Sequence, residues 1–261
     1  FFLSINNYLI VNKDNIYMGI LLDAIFPRGC IVCSKKGEYL CERCKKYFKR
    51  NLPECYVCRR ISPMYKTHDV CKDVFCLDSL FVGWEYNEIS SEILKLLKYR
   101  YVSDLEDSLS KFFIECISRT SFKNVIRNTL LVSMPISKKR YSERGFNQVC
   151  SISKDLSKHL GLDYREDLLY RDEYGGHQSM KDRERRLIEG TGGFRVNNSI
   201  NLSHYSGITI FDDVVTTGST INKAVEVIKN TYSKDIPIFS ICMFRGKPFY
   251  SETSSSEESA I

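Results

Sequence analysis

The sequence contains no apolar run of the length that a transmembrane helix needs, which is about 20 residues. Its first residues also lack the charged, apolar and small-residue order of a secretory signal peptide. These two absences argue against a membrane-spanning protein and give no support for export. Hydrophobic residues make up 43% of the 261 positions, which is enough for the core of one large domain or two.

The two ends of the chain are interpreted separately from the middle. Residues 1–17 precede Met18 and contain no Met, and we interpret them as an upstream extension that is not native, with Met18 as the expected start. A short amphipathic helix is predicted to end at Pro27. Residues 248–261 are rich in serine and glutamate and are expected to be disordered.

Cysteine is abundant and unevenly distributed. Eight of the eleven cysteines form four pairs, three with a spacing of two residues and the last with a spacing of four. A two-residue spacing lets both sulfurs face one tetrahedral zinc, so the pairs predict one or two structural zinc ions, with disulfides as the alternative. The predicted metal ligands are Cys30, Cys33, Cys41, Cys44, Cys55, Cys58, Cys71 and Cys76.

The spacing does not decide which pairs share an ion. Sequential pairing joins the first two pairs and then the last two, whereas an interleaved arrangement joins alternate pairs. Since eight cysteines already fill two four-coordinate sites, we predict that His68 is not a ligand. We likewise interpret His177 as a solvated loop residue rather than a catalytic base.

Positive charge is concentrated in the cysteine-rich region. Residues 26–66 contain eleven Lys or Arg against three Glu, whereas the whole chain has a net charge of +6. Aromatic residues lie among these cations, a composition that can support contacts with single-stranded nucleic acid. A solvated basic rim around a small zinc module explains the same charges and is the interpretation that we prefer.

One segment combines an apolar run, two adjacent carboxylates and a hydroxyl-rich turn. Residues 208–211 predict a buried strand, and apolar residues at helical spacing after the turn predict a helix. The turn can bind a phosphate at the helix start, and the aspartates can accept hydrogen bonds from sugar hydroxyls. The alternative is an ordinary strand-helix corner with capping Thr and Ser. The predicted sugar-phosphate site is Asp212, Asp213, Thr216, Thr217, Gly218, Ser219 and Thr220.

A second basic segment follows another predicted strand, at 129–134. Its cations are suited to the charge of a pyrophosphate, although a basic loop by itself is usually solvated. Beside the sugar-phosphate motif we interpret it as a pyrophosphate loop formed by Lys138, Lys139, Arg140 and Arg144.

Apolar patterns over 79–247 alternate between strands and helices. This alternation predicts an α/β domain with a parallel sheet, in which ligands bind beyond the carboxyl ends of the strands. The other predicted strands are 80–86 and 236–244, and helices are predicted at 88–99, 104–119 and 147–160.

These motifs together resemble the ComF family. The Asp212 segment looks like the PRPP motif of type I phosphoribosyltransferases, in which the acidic pair holds the ribose and the turn holds the 5-phosphate. Four motifs follow the family order: Phe26-Pro27 before the first cysteine pair, the Pro135 loop with Arg144 to Gln148, the segment from Arg171 through Gln178 and Arg186 to Phe194, and the Asp212 loop.

The resemblance implies a double zinc ribbon at 18–78 and a type I phosphoribosyltransferase-like parallel sheet, flanked by helices, at 79–247. It implies a cytoplasmic protein that binds PRPP with magnesium and is associated with competence and DNA uptake. If the chain is an enzyme, it transfers a phosphoribosyl group to an unknown acceptor and releases pyrophosphate. Arg144 and Arg186 are then the expected catalytic residues, the second in a hood-like loop.

The alternative is a non-catalytic DNA-uptake factor that binds single-stranded DNA or docks a partner of the uptake machinery, with the pocket as a ligand sensor. The sequence shows no clear purine-recognition segment, so nucleobase salvage has little support. Related folds often dimerise, and the sequence identifies no interface.

Overall fold

The structure is a computed structural model that describes residues 29–97, 103–171 and 193–246. Several predictions fall outside the described residues. They concern the extension at 1–17, the helix before Pro27, the hood-loop residues His177 and Arg186, and the tail at 248–261.

The cysteine-rich part contains little regular secondary structure. It has one short helix, α1 (Glu42–Lys45), and two 3-10 turns, Pro63–Tyr65 and Asp69–Cys71. Isolated antiparallel bridges, one joining Gly29 to Lys36 and one joining Glu54 to Ile61, close the turns that carry cysteine pairs. Because helices and strands are scarce here, this part depends on turn hydrogen bonds, on its side chains and on the sheet beneath it.

A parallel sheet forms the centre of the fold. Its strand order is β1-β7-β6-β2-β3, and all four neighbouring pairs are parallel, whereas β4 and β5 form a separate antiparallel hairpin. The predicted parallel sheet is confirmed. The strands are β1 (Ser79–Glu85), β2 (Leu130–Ser133), β3 (Tyr164–Arg165), β4 (Leu169–Arg171), β5 (Phe194–Val196), β6 (Ile208–Val215) and β7 (Ile238–Arg245).

Helices flank the sheet, and those that were predicted in the α/β domain lie at or near the expected positions. Within the described ranges, no helix is both long enough and apolar enough to cross a bilayer. The helices are α2 (Glu88–Leu97), α3 (Ser103–Ser118), α4 (Phe122–Val125), α5 (Lys138–Arg144), α6 (Gln148–Leu160) and α7 (Ser219–Thr231).

Two predictions about local structure were wrong. The basic segment expected as a loop is helix α5, because the Ser137 side chain caps it by accepting the Arg140 N–H and Gly145 ends it in the left-handed conformation. Strand β6 also continues past residue 211, so both aspartates lie within the strand and the turn begins after Val215.

The cysteine-rich part packs against both faces of the sheet. On one face Phe48 makes edge contacts with Trp84 and Phe112, at centroid distances of 5.4 and 5.3 Å. On the other face Tyr56 joins the buried cluster that contains Leu80 and the apolar side of α7. Burial of these aromatic rings holds the cysteine-rich part on the sheet.

Candidate functional site

The acidic pair lies in the central strand of the sheet. Strand β6 pairs with β2 on one side and β7 on the other, and Asp212 lies opposite Cys242. The chain then turns at residues 216–218 and enters α7, with Gly218 as the residue before the helix at φ 84°. The carboxylates and the positive end of a thirteen-residue helix therefore meet at the carboxyl edge of the sheet.

Ionisation of Asp212 is unfavourable in the protein alone. Burial and the charge of Asp213 raise the pKa of Asp212 well above its ordinary value. The Asp213 N–H, which donates to Asp212 Oδ1 at 2.9 Å, and the charge of Arg171 act in the opposite direction. A bound cation, or hydroxyl groups that donate hydrogen bonds, would stabilise the ionised pair.

A hydrogen-bonded chain connects the end of α5 to the acidic pair. The Arg144 guanidinium donates to Gln148 Oε1 at 3.2 Å, and Gln148 Nε2 donates to Asp213 Oδ2 at 3.3 Å. Asn147 Nδ2 donates to the Met134 carbonyl at 3.1 Å and so holds the start of α6 against the end of β2. The structure thus links predicted residues Arg144 and Asp213 through buried Gln148, which was not among the predicted site residues.

A cavity of about 710 Å³ lies between α5 and the β4–β5 hairpin. The other predicted cations of the basic segment, Lys139 and Arg140, are exposed on α5 beside it. On the hairpin, the Arg171 guanidinium lies 5.2 Å from the centroid of the Phe194 ring. Basic groups from two elements therefore line the cavity together with two carboxylates. The lining includes Pro135, Lys138, Tyr141, Glu166, Asp167, Tyr170, Arg171 and Arg195.

The first four cysteines form one cluster. The sulfur atoms of Cys30, Cys33, Cys41 and Cys44 all lie within 4.8 Å of one another, as sequential pairing requires. Burial raises the pKa of Cys30, but backbone hydrogen bonds from the amides of Cys41, Cys33 and Val32 outweigh it and lower that pKa to about 6. Four thiols, one of which accepts hydrogen bonds from backbone amides, fit a tetrahedral zinc.

The second cluster differs from the predicted ligand set. It contains Cys55, Cys58, His68 and Cys71, with His68 Nδ1 3.3 Å from Cys58 Sγ. In this cluster His68, which was predicted not to be a ligand, takes the place that was expected for Cys76. His68 and Cys71 have the two-residue spacing of a knuckle and share one 3-10 turn. Cys76 instead enters the core beside Leu77.

This cluster fits a zinc ion as well as the first one does. Three thiols and one imidazole form a common structural zinc site. Burial raises the pKa of Cys55, but the amides of Cys58, His68 and Val57 outweigh it and lower that pKa below its ordinary value. The His68-x2-Cys71 spacing was the signal that could have identified the fourth ligand from sequence.

Several known proteins are similar in sequence to this chain. No family model matches the chain. Competence protein ComFC of Streptococcus pneumoniae is 29% identical over 204 residues, which cover 77% of this chain and 86% of that protein. Competence protein F of Haemophilus influenzae is 24% identical over 83% of this chain and 95% of that protein. The resemblance to the ComF family is confirmed.

One further relative and two solved structures are also similar to the chain. DNA utilization protein YhgH of Escherichia coli is 22% identical over 82% of this chain and 89% of that protein. Among solved structures, a Helicobacter pylori xanthine-guanine-hypoxanthine phosphoribosyltransferase matches with 14% identity and a TM-score of 0.35, over 56% of this chain and 77% of that chain. An allosteric regulatory enzyme of purine biosynthesis matches with 11% identity and a TM-score of 0.36, over 52% of this chain but only 26% of that chain.

The ligand set of the second cluster in this ComF-like chain can be tested by metal analysis. We expect His68→Ala to lower the zinc content by about one ion per chain, because a tetrahedral site loses its fourth ligand. Cys76→Ala is the matched control and should retain the metal. Elemental analysis of the purified variants checks this, and loss of zinc in Cys76→Ala with retention in His68→Ala would restore the original assignment.

The raised pKa of Asp212 predicts a pH-dependent stability difference. A carboxyl group whose pKa is higher in the folded state destabilises the fold as pH rises above the unfolded value, near 3.8. Asp212→Asn should therefore melt a few degrees higher than the wild type at pH 7, and the gap should close toward pH 4. Thermal melts across this range provide the measurement, with exposed Asp235→Asn as the control. A gap that is independent of pH would contradict the assignment.

Proposed function

We propose that this chain is a ComF-type protein that binds PRPP with magnesium at the carboxyl edge of its sheet and acts in DNA uptake. The observation that carries the proposal is the placement of Asp212 and Asp213 in the central strand, directly before the Gly218 turn and α7. The competence and DNA-utilization names of its relatives support the biological setting. We also propose that 18–78 and 79–247 are its two structural units.

Each part of PRPP has a chemically suitable partner. The amides and hydroxyls of Thr216, Thr217, Gly218, Ser219 and Thr220 would hold the 5-phosphate at the positive end of α7. Asp212 and Asp213 would accept hydrogen bonds from the ribose hydroxyls, and the site would hold magnesium through PRPP oxygens. Magnesium, when bound, neutralises part of the pyrophosphate charge.

The basic side of the site suits a leaving pyrophosphate. Helix α5 begins with Lys138, Lys139 and Arg140 and ends at Arg144. Gln148 connects Arg144 to Asp213 by two hydrogen bonds. Cations placed where negative charge develops stabilise the transition state of such a transfer. We therefore propose that Arg144 assists phosphoribosyl transfer to an acceptor. Arg186, which lies outside the described residues, is proposed as a second catalytic residue.

The proposal is tested by calorimetric titration of the zinc-loaded protein with PRPP and magnesium. We expect saturable binding by the wild type and at least a tenfold weaker affinity for the Asp212→Asn, Asp213→Asn double variant, because neutral amides accept weaker hydrogen bonds from the ribose. The exposed double variant Asp107→Asn, Asp235→Asn serves as the charge-matched control. Equal affinity in both double variants would refute the ribose assignment.

A second candidate function is binding of single-stranded DNA by the cysteine-rich part. The observation that favours it is the exposure of Lys35, Lys36, Arg43 and Lys46 around the first cluster. Basic groups on one surface attract the phosphate backbone irrespective of sequence. This candidate is compatible with PRPP binding, since the two sites use different residues.

Salt dependence tests the second candidate. The Lys35→Gln, Lys36→Gln variant should bind an oligothymidine more weakly, with a salt slope smaller by about 0.7 for each phosphate contact that is lost. Fluorescence anisotropy at several salt concentrations measures this slope. The control variant Lys123→Gln, Lys234→Gln removes the same charge elsewhere on the surface. An equal effect of both variants would mean that only net charge matters.

A further inference from the structure

Residues 55–59, which carry two cysteines of the second cluster and are called the knuckle below, contact the proposed phosphate turn. Tyr56 lies between the ligands Cys55 and Cys58, and it is 2% exposed. Its ring packs on Gly218, so closely that a Cβ atom there would lie 3.0 Å from both Cδ2 and Cε2 of the tyrosine. The glycine is thus required both by its positive φ and by the ring that covers it.

The Tyr56 hydroxyl group connects the cluster to the first turn of α7. It accepts a hydrogen bond from the Leu77 N–H at 3.2 Å and donates one to Asn222 Oδ1 at 2.9 Å. The Asn222 N–H in turn donates to the Gly218 carbonyl at 2.9 Å.

Arg59 holds the other side of the same turn. It follows the ligand Cys58 directly and has a φ of 62°. Its guanidinium donates to the Thr216 carbonyl at 3.2 Å and to the Gly246 carbonyl at 3.3 Å. The knuckle therefore reaches both ends of the turn, at Thr216 through Arg59 and at Gly218 through Tyr56.

A buried charge joins the cluster to the end of the sheet. Arg245, the last residue of β7, donates to the Tyr56 carbonyl at 2.7 Å, and its Nε lies 3.3 Å from Glu54 Oε1. Its other terminal nitrogen has no hydrogen-bond partner among the described residues. A zinc bound by three thiolates and one imidazole carries a net charge of about −1, which would stabilise this guanidinium.

We propose that Tyr56 and Arg59 are positioning residues for the phosphate turn, and that metal binding at Cys55, Cys58, His68 and Cys71 controls the affinity of that turn for a phosphorylated ribose. The inference rests on the proposed function. Metal ligation holds the knuckle, and the knuckle holds the turn in the conformation that points its amides at a phosphate. Without the metal the knuckle is no longer held in place. Ordering the turn then consumes part of the free energy of phosphate binding.

Conservative variants that keep all four ligands test the positioning role. Tyr56→Phe removes only the hydroxyl group, and Arg59→Asn removes the guanidinium with a residue that tolerates positive φ. Each should bind ribose 5-phosphate about tenfold more weakly than the wild type by calorimetry, since each loses hydrogen bonds that order the turn. The zinc content should be unchanged. The matched controls are Tyr47→Phe and Arg60→Asn, whose side chains are exposed in the same part of the chain.

Hydrogen exchange tests the same inference without a ligand. Amides of residues 216–222 should exchange at least tenfold faster in Tyr56→Phe, Arg59→Asn and His68→Ala than in the controls. Cys33→Ala removes a ligand of the first cluster, which packs against the other face of the sheet, and should leave these amides protected. Exchange rates in the three variants equal to those of the controls would overturn the inference. Failure of the wild type to bind PRPP with magnesium would refute the proposed function, while the exchange rates would still decide the positioning role.

Discussion

The parallel pairing of β6 between β2 and β7 is the constraint on which the candidate site depends. It brings the carboxyl ends of three strands to one edge, where Asp212 and Asp213 meet the start of α7 and the residues that follow β2. Burial at this edge and the charge of Asp213 raise the pKa of Asp212. Such a site favours a ligand that brings a cation and hydroxyl donors together.

The cysteine-rich part is attached to the sheet by two different kinds of contact. The first cluster packs through Phe48 on aromatic rings of one face, a contact that is apolar. The second cluster reaches the phosphate turn through Tyr56 and Arg59, where hydrogen bonds dominate. Since this part has almost no regular backbone structure, metal ligation would supply much of its stability. The cysteine-rich part can thus both cover the sheet and hold the phosphate turn in place.

Sequence patterns predicted the features that depend on residues close together in the chain, but not the contacts between distant residues. The apolar run, the acidic pair and the glycine turn lie within a dozen residues, so their strand-turn-helix arrangement followed from local pattern. Helix α5 was missed although Ser137 and Gly145 were its capping signals, because its charges drew the interpretation toward a loop. His68 was excluded because counting cysteines already filled two sites, whereas spacing favoured it over Cys76. The Tyr56 to Asn222 hydrogen bond joins residues 166 positions apart, and no pattern in a single sequence encodes it.

The most direct test of the central claim is a crystal structure of the zinc-loaded protein with ribose 5-phosphate and magnesium. We predict that the phosphate contacts the amides of the Gly218 turn, that the ribose hydroxyls contact Asp212 and Asp213, and that the ring of Tyr56 stays on Gly218. A sugar phosphate bound elsewhere on the protein, with the turn unoccupied, would contradict the account.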